Sequence, residues 1–401
     1  MTDTTQPATL TYPTVTRGDT RYTLLGTAHV SRASAEEVRD LIASGRFDSV
    51  AIELCESRYQ AIVKPEAMGQ MDLFDVFRQG KAGMVAASLA LSAYQQRLAD
   101  QFGIEPGAEM KAAIESAKEA DLPVLLIDRE IGTTLKRIYR RIGWWQRMIL
   151  ISGLIGSLFS REKVTEEEIE RLKEGDVLES TFSEFASRSA TLYDTLIRER
   201  DRYMAARLRE EQAKQSLKEV LVVIGAGHAA GLQEYLRDEQ TEPRAEQAQL
   251  NQIPPASRWP KIFPWALVAL ILAGFAIGFS RSSSLGWQMV FEWVVINGGL
   301  SALGAAIAGG HPLTILGAFA AAPLTSLNPT IGAGLVVASI ELSLRRPKVV
   351  HFETLKQDVA HIRGWWSNRV ARILLVFMLA TAGSAIGTYV AGFRIFERLV
   401  N

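Results

Sequence analysis

Four short runs rich in Val, Ile and Leu punctuate the first 225 residues: YTLLG at 22–26, SVAIEL at 49–54, PVLLID at 123–128 and VLVVIG at 220–225. Continuous apolar runs of this length predict strands buried on both faces, as in a parallel sheet. Helical patterns separate them. Residues 35–44 open on the capping box Ser34-Ala-Glu-Glu37 and stop at Gly45, a start and a stop signal for one helix. A second box at 165–168 predicts a charged helix ending near Gly175. Residues 184–218 predict one or two amphipathic helices with Phe185, Leu192, Leu196 and Tyr203 on one face. Alternating strand and helix predicts an α/β soluble domain with a mostly parallel central sheet.

The pattern then changes. Residues 262–279 run without a charge for 18 positions, about the length that spans a hydrocarbon core. Apolar stretches at 294–309, 312–344 and 373–393 follow, which together predict an α-helical multi-pass transmembrane domain. Trp259, Trp265, Trp287 and Trp293 lie near the ends of these runs, where interfacial aromatics belong. Pro312, Pro323, Pro329 and nearby glycines prevent 312–344 from forming one continuous helix and predict a hairpin broken near 326–329. Close packing of small residues accounts for such a hairpin; a polar conduit at membrane depth is the functional alternative. The resulting division is a flexible N-terminus at 1–20, the α/β domain at 21–240, a Pro-containing linker at 241–260 and the membrane domain at 261–401. The segment 140–159 has too short an uncharged run for a span and is expected to lie in the interface or within the soluble domain.

Charge sharpens this division. The whole chain balances 44 basic against 44 acidic residues, but Lys261–Asn401 holds 11 basic and 5 acidic, a net of +6 that leaves −6 for the first 260 residues. Arg345, Arg346, Lys348, Lys356, Arg363, Arg369 and Arg372 cluster in one loop, which the positive-inside rule places in the cytoplasm. Counting back through four crossings puts the N-terminal domain there as well, and a re-entrant hairpin would leave both on the same side. The opening MTDTTQPATLTYPTV lacks the apolar core of a signal peptide. The expectation is an integral membrane protein with a cytoplasmic soluble domain and no role in nucleic-acid binding. The single cysteine, Cys55, excludes an intrachain disulfide framework and a Cys-built zinc site. Any metal must therefore use His and carboxylates.

Candidate chemistry follows from the strand ends. Ligands bind in the crevice at the carboxyl ends of parallel strands, and four strands deliver polar groups there: His29, Glu53, Asp128 with Arg129, and His228. Both histidines stand in Gly-x-x-His elements, GTAH at 26–29 and GAGH at 225–228. Two imidazoles and a carboxylate form a plausible three-ligand site for a divalent ion, with Mn, Co or Zn all compatible and one position open for water. Such an ion makes hydroxide available near neutral pH and polarises a carbonyl, the chemistry of peptide or ester hydrolysis. Glu53 alternatively serves as general base, with Glu109 or Asp128 completing the ligand set; a further variant uses His29 and His228 as acid and base without metal. Arg58, Arg129 and Arg200 are candidates for binding a substrate carboxylate or an oxyanion. Gly225, Gly227 and Ala230 also satisfy a dinucleotide fingerprint, but a Pro-containing linker and apolar helices follow instead of the rest of a βαβ unit.

GTAHVS at 26–31, IELCESRY at 52–59, EPGAEM at 105–110, IDRE with TTLKR at 127–137, ERDRYMA at 199–205, GAGH at 225–228 and PLTSLNPTIGAG at 323–334 together resemble the TraB/PrgY family, relatives of the Tiki Wnt-inactivating metalloproteases. The resemblance runs from about Tyr22 to the C-terminus. It implies a membrane protein associated with shutdown of a peptide sex pheromone and carrying a metal-dependent peptidase domain. By motif it also implies a core site of His29, Glu53 and His228, supported by Arg58, Arg129, Glu199 and Arg200. The leading expectation is a membrane-anchored, metal-dependent hydrolase that inactivates a peptide signal; the alternative is a membrane protein that binds or sequesters a peptide without cleaving it. The small-residue membrane faces are compatible with a homo-oligomer.

Overall fold

The computed structural model describes residues 12–27, 32–64, 73–79, 107–143, 145–149, 190–255, 259–328 and 330–400, with a few isolated positions between them. The chain divides into two compact units. The first is built from residues 1–65, 97–153 and 160–255, and the second from 66–96, 154–159 and 256–401.

The first unit contains a five-stranded sheet in the order β1-β2-β5-β3-β4, with β1 at Thr14–Arg17, β2 at Thr20–Thr27, β3 at Ser49–Ile52, β4 at Val124–Leu126 and β5 at Glu219–Gly225. Only the β1–β2 pair is antiparallel; β2–β5, β5–β3 and β3–β4 are parallel. The central strand β5 is buried from Val220 onward, as expected for a strand covered on both faces. One face carries α1 (Arg32–Ala43) and α3 (Ala108–Glu119): Val38, Ile42, Met110, Ala113 and Ala117 close over Val50, Ile52, Leu221 and Val223. The other face carries α6 (Glu199–Lys214) and α7 (Ala226–Asp238), with Met204, Leu208, Leu232 and Leu236 over Tyr22, Leu24, Val222 and Ile224. The result is a three-layer α/β/α sandwich.

Three elements depart from the sequence pattern. Strand β1 falls within the stretch read as a flexible N-terminus: Gly18, at φ +55°, makes the tight Arg17–Thr20 turn that pairs the two strands. Helix α1 begins at Arg32, so Ser34 lies inside it and does not cap it, and Glu37 instead accepts a hydrogen bond from the Tyr12 hydroxyl at 2.8 Å. The linker contains helix α8 (Pro243–Asn251), whose N-cap Glu242 accepts from the Arg244 and Ala245 amides. The predicted helix at 165–175 lies outside the described residues, as do 153–159 of the apolar segment at 140–159.

The second unit is helical: α9 (Trp259–Arg281), α10 (Ser283–Ile307), α11 (Pro312–Thr325), α12 (Ala333–Leu344) and α13 (Arg369–Val400), with three one-turn helices between Val349 and Ser367. Three of these helices, at Ile262–Arg281, Ser283–Ile307 and Arg369–Val400, are long and apolar enough to cross a membrane. Glycines set their spacing. A Cβ at Gly304 would come within 2.2 Å of the Leu379 carbonyl oxygen, and one at Gly383 within 2.2 Å of that of Leu300, so α10 and α13 meet backbone to backbone. Helices α11 and α12 form the expected broken hairpin, and its turn is pinned to the long helices: the Ser326 hydroxyl donates to Asn297 Oδ1 at 3.0 Å and lies 2.9 Å from Ser384 Oγ.

Candidate functional site

The parallel pairing aligns the carboxyl ends of four strands, with Thr27 opposite Gly225, Ile52 opposite Val223, and Ile52 opposite Leu126. Glu53 is the first residue past β3. Its amide donates to the Val223 carbonyl at 3.1 Å, which fixes the backbone, and its side chain is only 1% exposed. Gly225 is the N-cap of α7, and its amide donates to Glu53 Oε2 at 2.7 Å. The helix that starts there carries His228, fully buried, with Nε2 3.5 Å from Glu53 Oε1. Gly26 of β2 makes room for this start, since a Cβ there would sit 3.1 Å from Ala226 Cα.

The opposite wall is the first turn of α6, where Arg200 and Asp201 are both buried. Arg200 joins two carboxylates: Nη2 pairs with Glu53 Oε1, while Nε and Nη2 hold Asp128 Oδ1 and Oδ2 at 3.0 and 3.1 Å. Asp201 Oδ1 lies 2.5 Å from His228 Nδ1. Burial pushes the Asp201 carboxyl above its ordinary value, and the hydrogen bond and charge of His228 act against that rise. Gly231, one turn beyond His228, is the reason Asp201 fits, because a Cβ there would lie 2.1 Å from Asp201 Oδ2. Arg58, on α2 (Glu56–Val63), is 44% exposed and 3.9 Å from Asp128 Oδ2. It is the one of the three candidate arginines that faces solvent.

A second network sits one residue along each element. Arg129 follows Asp128, and Glu199 precedes Arg200. Arg129 Nη1 donates to Glu199 Oε2 at 2.9 Å, Arg137 of α4 (Ile131–Arg141) grips both oxygens of Glu199 at 2.8 and 2.7 Å, and Arg141 lies 2.6 Å from Oε1. Burial pushes the pKa of Arg129 below the ordinary arginine value, with Glu199 opposing. Burial likewise pushes Glu199 up, but the hydrogen bonds and charges of Arg137 and Arg129 outweigh it and hold the carboxyl below its ordinary 4.5. The same guanidiniums reach the end of α8: Arg129 donates to the Leu250 carbonyl at 3.0 Å and Arg137 to that of Gln252. After the one-turn helix α5 (Ala190–Tyr193), a π-helical stretch, Asp194–Arg198, leads directly into Glu199; such distortions re-aim the residues that follow them.

Of the residues singled out in the sequence, the structure brings Glu53, Asp128, Arg200 and His228 into one buried group with Arg58 at its edge. It places Arg129 and Glu199 in the neighbouring network. Glu109 is fully buried in the first turn of α3, and His29 lies outside the described residues. Asp201, Arg137 and Arg141 were not singled out as site residues. A small residue three places after His228, and an Asp directly after Arg200, are the signals that carried Asp201; nothing in the local pattern of 131–141 separates Arg137 and Arg141 from a solvated basic face.

Among the described residues no group of three His, Cys, Asp or Glu side chains is arranged to hold a metal ion. His228 and Glu53 nevertheless fit two of the three expected ligand positions. An imidazole whose Nδ1 is held by a carboxylate and whose Nε2 faces a second carboxylate has the outer-shell support typical of a metal-ligating histidine, and His29 follows Thr27, the β2 residue paired with Gly225, by two positions.

A mixed α/β domain with a buried imidazole–carboxylate–guanidinium group at the carboxyl edge of its sheet, followed by an apolar helical unit, defines the class of protein. Residues 13–245 match the TraB/PrgY/gumN family and residues 259–400 the C-terminal domain of TraB family proteins, and the chain belongs to this family. An uncharacterized protein of Methanocaldococcus jannaschii is 32% identical over 91% of this chain and 92% of its own length. The human and cow TraB domain-containing proteins are each 26% identical, over 57% and 55% of this chain and 65% and 63% of their own.

Proposed function

We propose that the α/β unit is a divalent-metal-dependent hydrolase with peptide substrates. The supporting observation is the 3.5 Å approach of His228 Nε2 to Glu53 Oε1 with His228 Nδ1 held on Asp201. When Nδ1 carries the proton toward Asp201, Nε2 and Oε1 turn lone pairs toward one region, as two ligands of one cation do. Arg200 supplies positive charge on the Glu53 side; a cation held by His228, Glu53 and His29 would add it on the other. When bound, the ion provides an activated water and a polarised carbonyl. In this proposal Asp201 fixes the tautomer and aim of His228, Arg200 and the Gly225 amide hold Glu53, and Asp128 orients Arg200. Arg58 reaches from the exposed rim to a substrate carboxylate or carbonyl. Glu53 is ligand or general base, and Glu109 or Asp128 is the further carboxylate where Glu53 acts as base.

Metal analysis of the full chain in detergent tests the ligand set. The proposal expects bound divalent ion in the wild type, with Mn, Co and Zn tried in turn, and its loss in His228→Ala; unchanged metal content in that variant overturns it. One observation favours a second function. Arg58 is exposed at the rim of the buried group, 3.9 Å from Asp128, an arrangement that also suits a protein that captures a peptide carboxylate without cleaving it. Recovery of intact, stoichiometrically bound peptide would mark that function.

For the second unit the proposal is insertion in a bilayer with α9, α10 and α13 spanning. Helices of 14 and 12 residues reach only about 21 and 18 Å, short of the roughly 30 Å hydrocarbon core, so α11 and α12 are proposed as a re-entrant hairpin. The contacts of Ser326 support this: Asn297 and Ser384 lie near the middle of their long helices. The hairpin ends meet where Arg345 Nη1 donates to the Gly309 carbonyl, beside the end of α10. Three crossings keep the α/β unit and the basic 345–372 loop on one side, the cytoplasmic one, and a peptide signal reaching the site must do so there.

A further inference from the structure

The 345–372 loop folds back against the ends of three helices of the second unit, and its guanidiniums end on backbone carbonyls. Arg345 donates to the Gly309 carbonyl at 3.0 Å, Arg369 to that of Arg346 at 3.1 Å, and Arg372 to those of Trp366 and Ser367 at 2.7 and 3.3 Å. Arg345 and Arg369 both lie within electrostatic reach of Arg372, and the acidic group acting on it is Glu341. That carboxylate is fully buried and already accepts from Thr314 Oγ1 at 2.6 Å and the His311 amide at 2.8 Å, as well as facing Arg345 at 3.3 Å. Three positive charges thus stand against this buried carboxylate and Asp358, which accepts from Asn368 Nδ2 at 2.8 Å just before the start of α13.

The setting compounds the imbalance. Arg369 and Arg372 occupy the first turn of α13, which carries no acidic residue, and the positive end of a helix dipole disfavours cations. The Trp366 indole, beside them, donates to the Ile307 carbonyl at the end of α10 at 2.8 Å and is exposed. An indole at the level where apolar helices end is the usual marker of the headgroup layer. By contrast, the opposite ends of α10 and α13 pair their charges, Arg398 with Glu292 at 2.5 Å and Arg394 with Glu397 at 3.1 Å.

We infer that Arg345, Arg369 and Arg372, with Trp366, form a binding site for the phosphate of an anionic phospholipid headgroup. Charge complementarity selects an anion, and the adjoining lipid-length helices select a lipid over a free phosphate, because the acyl chains continue along apolar surface. Basic pockets between helix ends on the cytoplasmic side hold such headgroups. The site anchors the mouth of the α11–α12 hairpin, since Arg345 is the C-cap of α12.

The inference rests on the proposal that the second unit spans a bilayer, and failure of that proposal would show separately as a full chain that stays monodisperse without detergent. The test is native mass spectrometry of the full chain released from nanodiscs of phosphatidylcholine with a minor fraction of phosphatidylglycerol. The wild type should retain phosphatidylglycerol in preference to phosphatidylcholine. Arg369→Gln should lower that retention about fivefold, the usual effect of one surface arginine on anionic lipid, and Arg345→Gln/Arg369→Gln further, while Arg394→Gln at the charge-paired end should leave it unchanged. Equal retention of the two lipids, or equal loss in Arg394→Gln, overturns the inference. So does full displacement of the lipid by millimolar inorganic phosphate, which would make the site one for free phosphate.

Discussion

His228 owes its aim to Asp201, and Asp201 owes its room to Gly231. Asp201→Asn keeps the shape but removes the charge, and should weaken metal affinity or turnover about 10- to 100-fold, the usual effect of an outer-shell carboxylate; metal titration of the two proteins checks this. Gly231→Ala drives a methyl into the carboxylate at 2.1 Å. It should cost about 1–3 kcal/mol as an overpacked site, read by thermal unfolding, and should mimic Asp201→Asn in metal binding. Glu199 gives a pH signature. Its folded value is held below 4.5 by Arg137 and Arg129 against the upward push of burial, so its contribution to stability is complete above about pH 4.5 and is lost as pH falls through the lower folded value. Thermal unfolding between pH 7 and pH 3 should show that loss in the wild type. Glu199→Gln should lose the acid-dependent part while being less stable at pH 7, by roughly 3–5 kcal/mol if the buried guanidiniums are left unpaired. At this scale Glu53, Asp128 and His228 were legible because strand ends converge by topology, whereas Arg200, in the first turn of α6, was legible through the ERDRYMA motif. Asp201 carried no separate signal within it, since a run such as RERDR reads as a solvated face until tertiary packing buries it.

At the scale of elements, the four strands and their parallel alignment followed from continuous Val, Ile and Leu runs, a signal that survives without context. The elements that were missed or misplaced depend on partners. Strand β1 has one buried residue, Val15, and exists because β2 offers an open edge. Helix α8 is polar in sequence and is held by the arginines that reach its last carbonyls and by Arg202 and Arg209 on the buried Glu246. The prolines mark the hairpin break, but not what holds its turn, which is Asn297 and Ser384 on other helices. A cysteine at Thr330 tests the re-entrant depth proposed for that turn. If α11 and α12 each crossed the bilayer, a membrane-impermeant maleimide added from outside would label that position. A re-entrant turn predicts no labelling from outside, with a cysteine at Ser282, in the α9–α10 turn, as the labelled control.

Over the whole molecule, the neutral total of 44 basic and 44 acidic residues conceals an acidic α/β unit and a basic helical one. The division has a physical basis: the α/β unit folds around carboxylates that neutralise buried arginines, whereas the helical unit concentrates its cations where apolar helices end. Family membership extends through both units, so the pairing of a sheet-edge site with apolar helices is a property of the whole chain and not of either part alone. The central claim is that the group around His228 and Glu53 is a hydrolytic centre. It is tested most directly by incubating the full chain and its Glu53→Gln variant with a diverse peptide mixture in the presence of Mn, Co or Zn, and reading the products by mass spectrometry. The account predicts new peptide termini with the wild type and a rate at least about 100-fold lower with Glu53→Gln, the scale of a lost general base. Equal cleavage by both proteins, or peptides bound one to one and recovered intact, would contradict it.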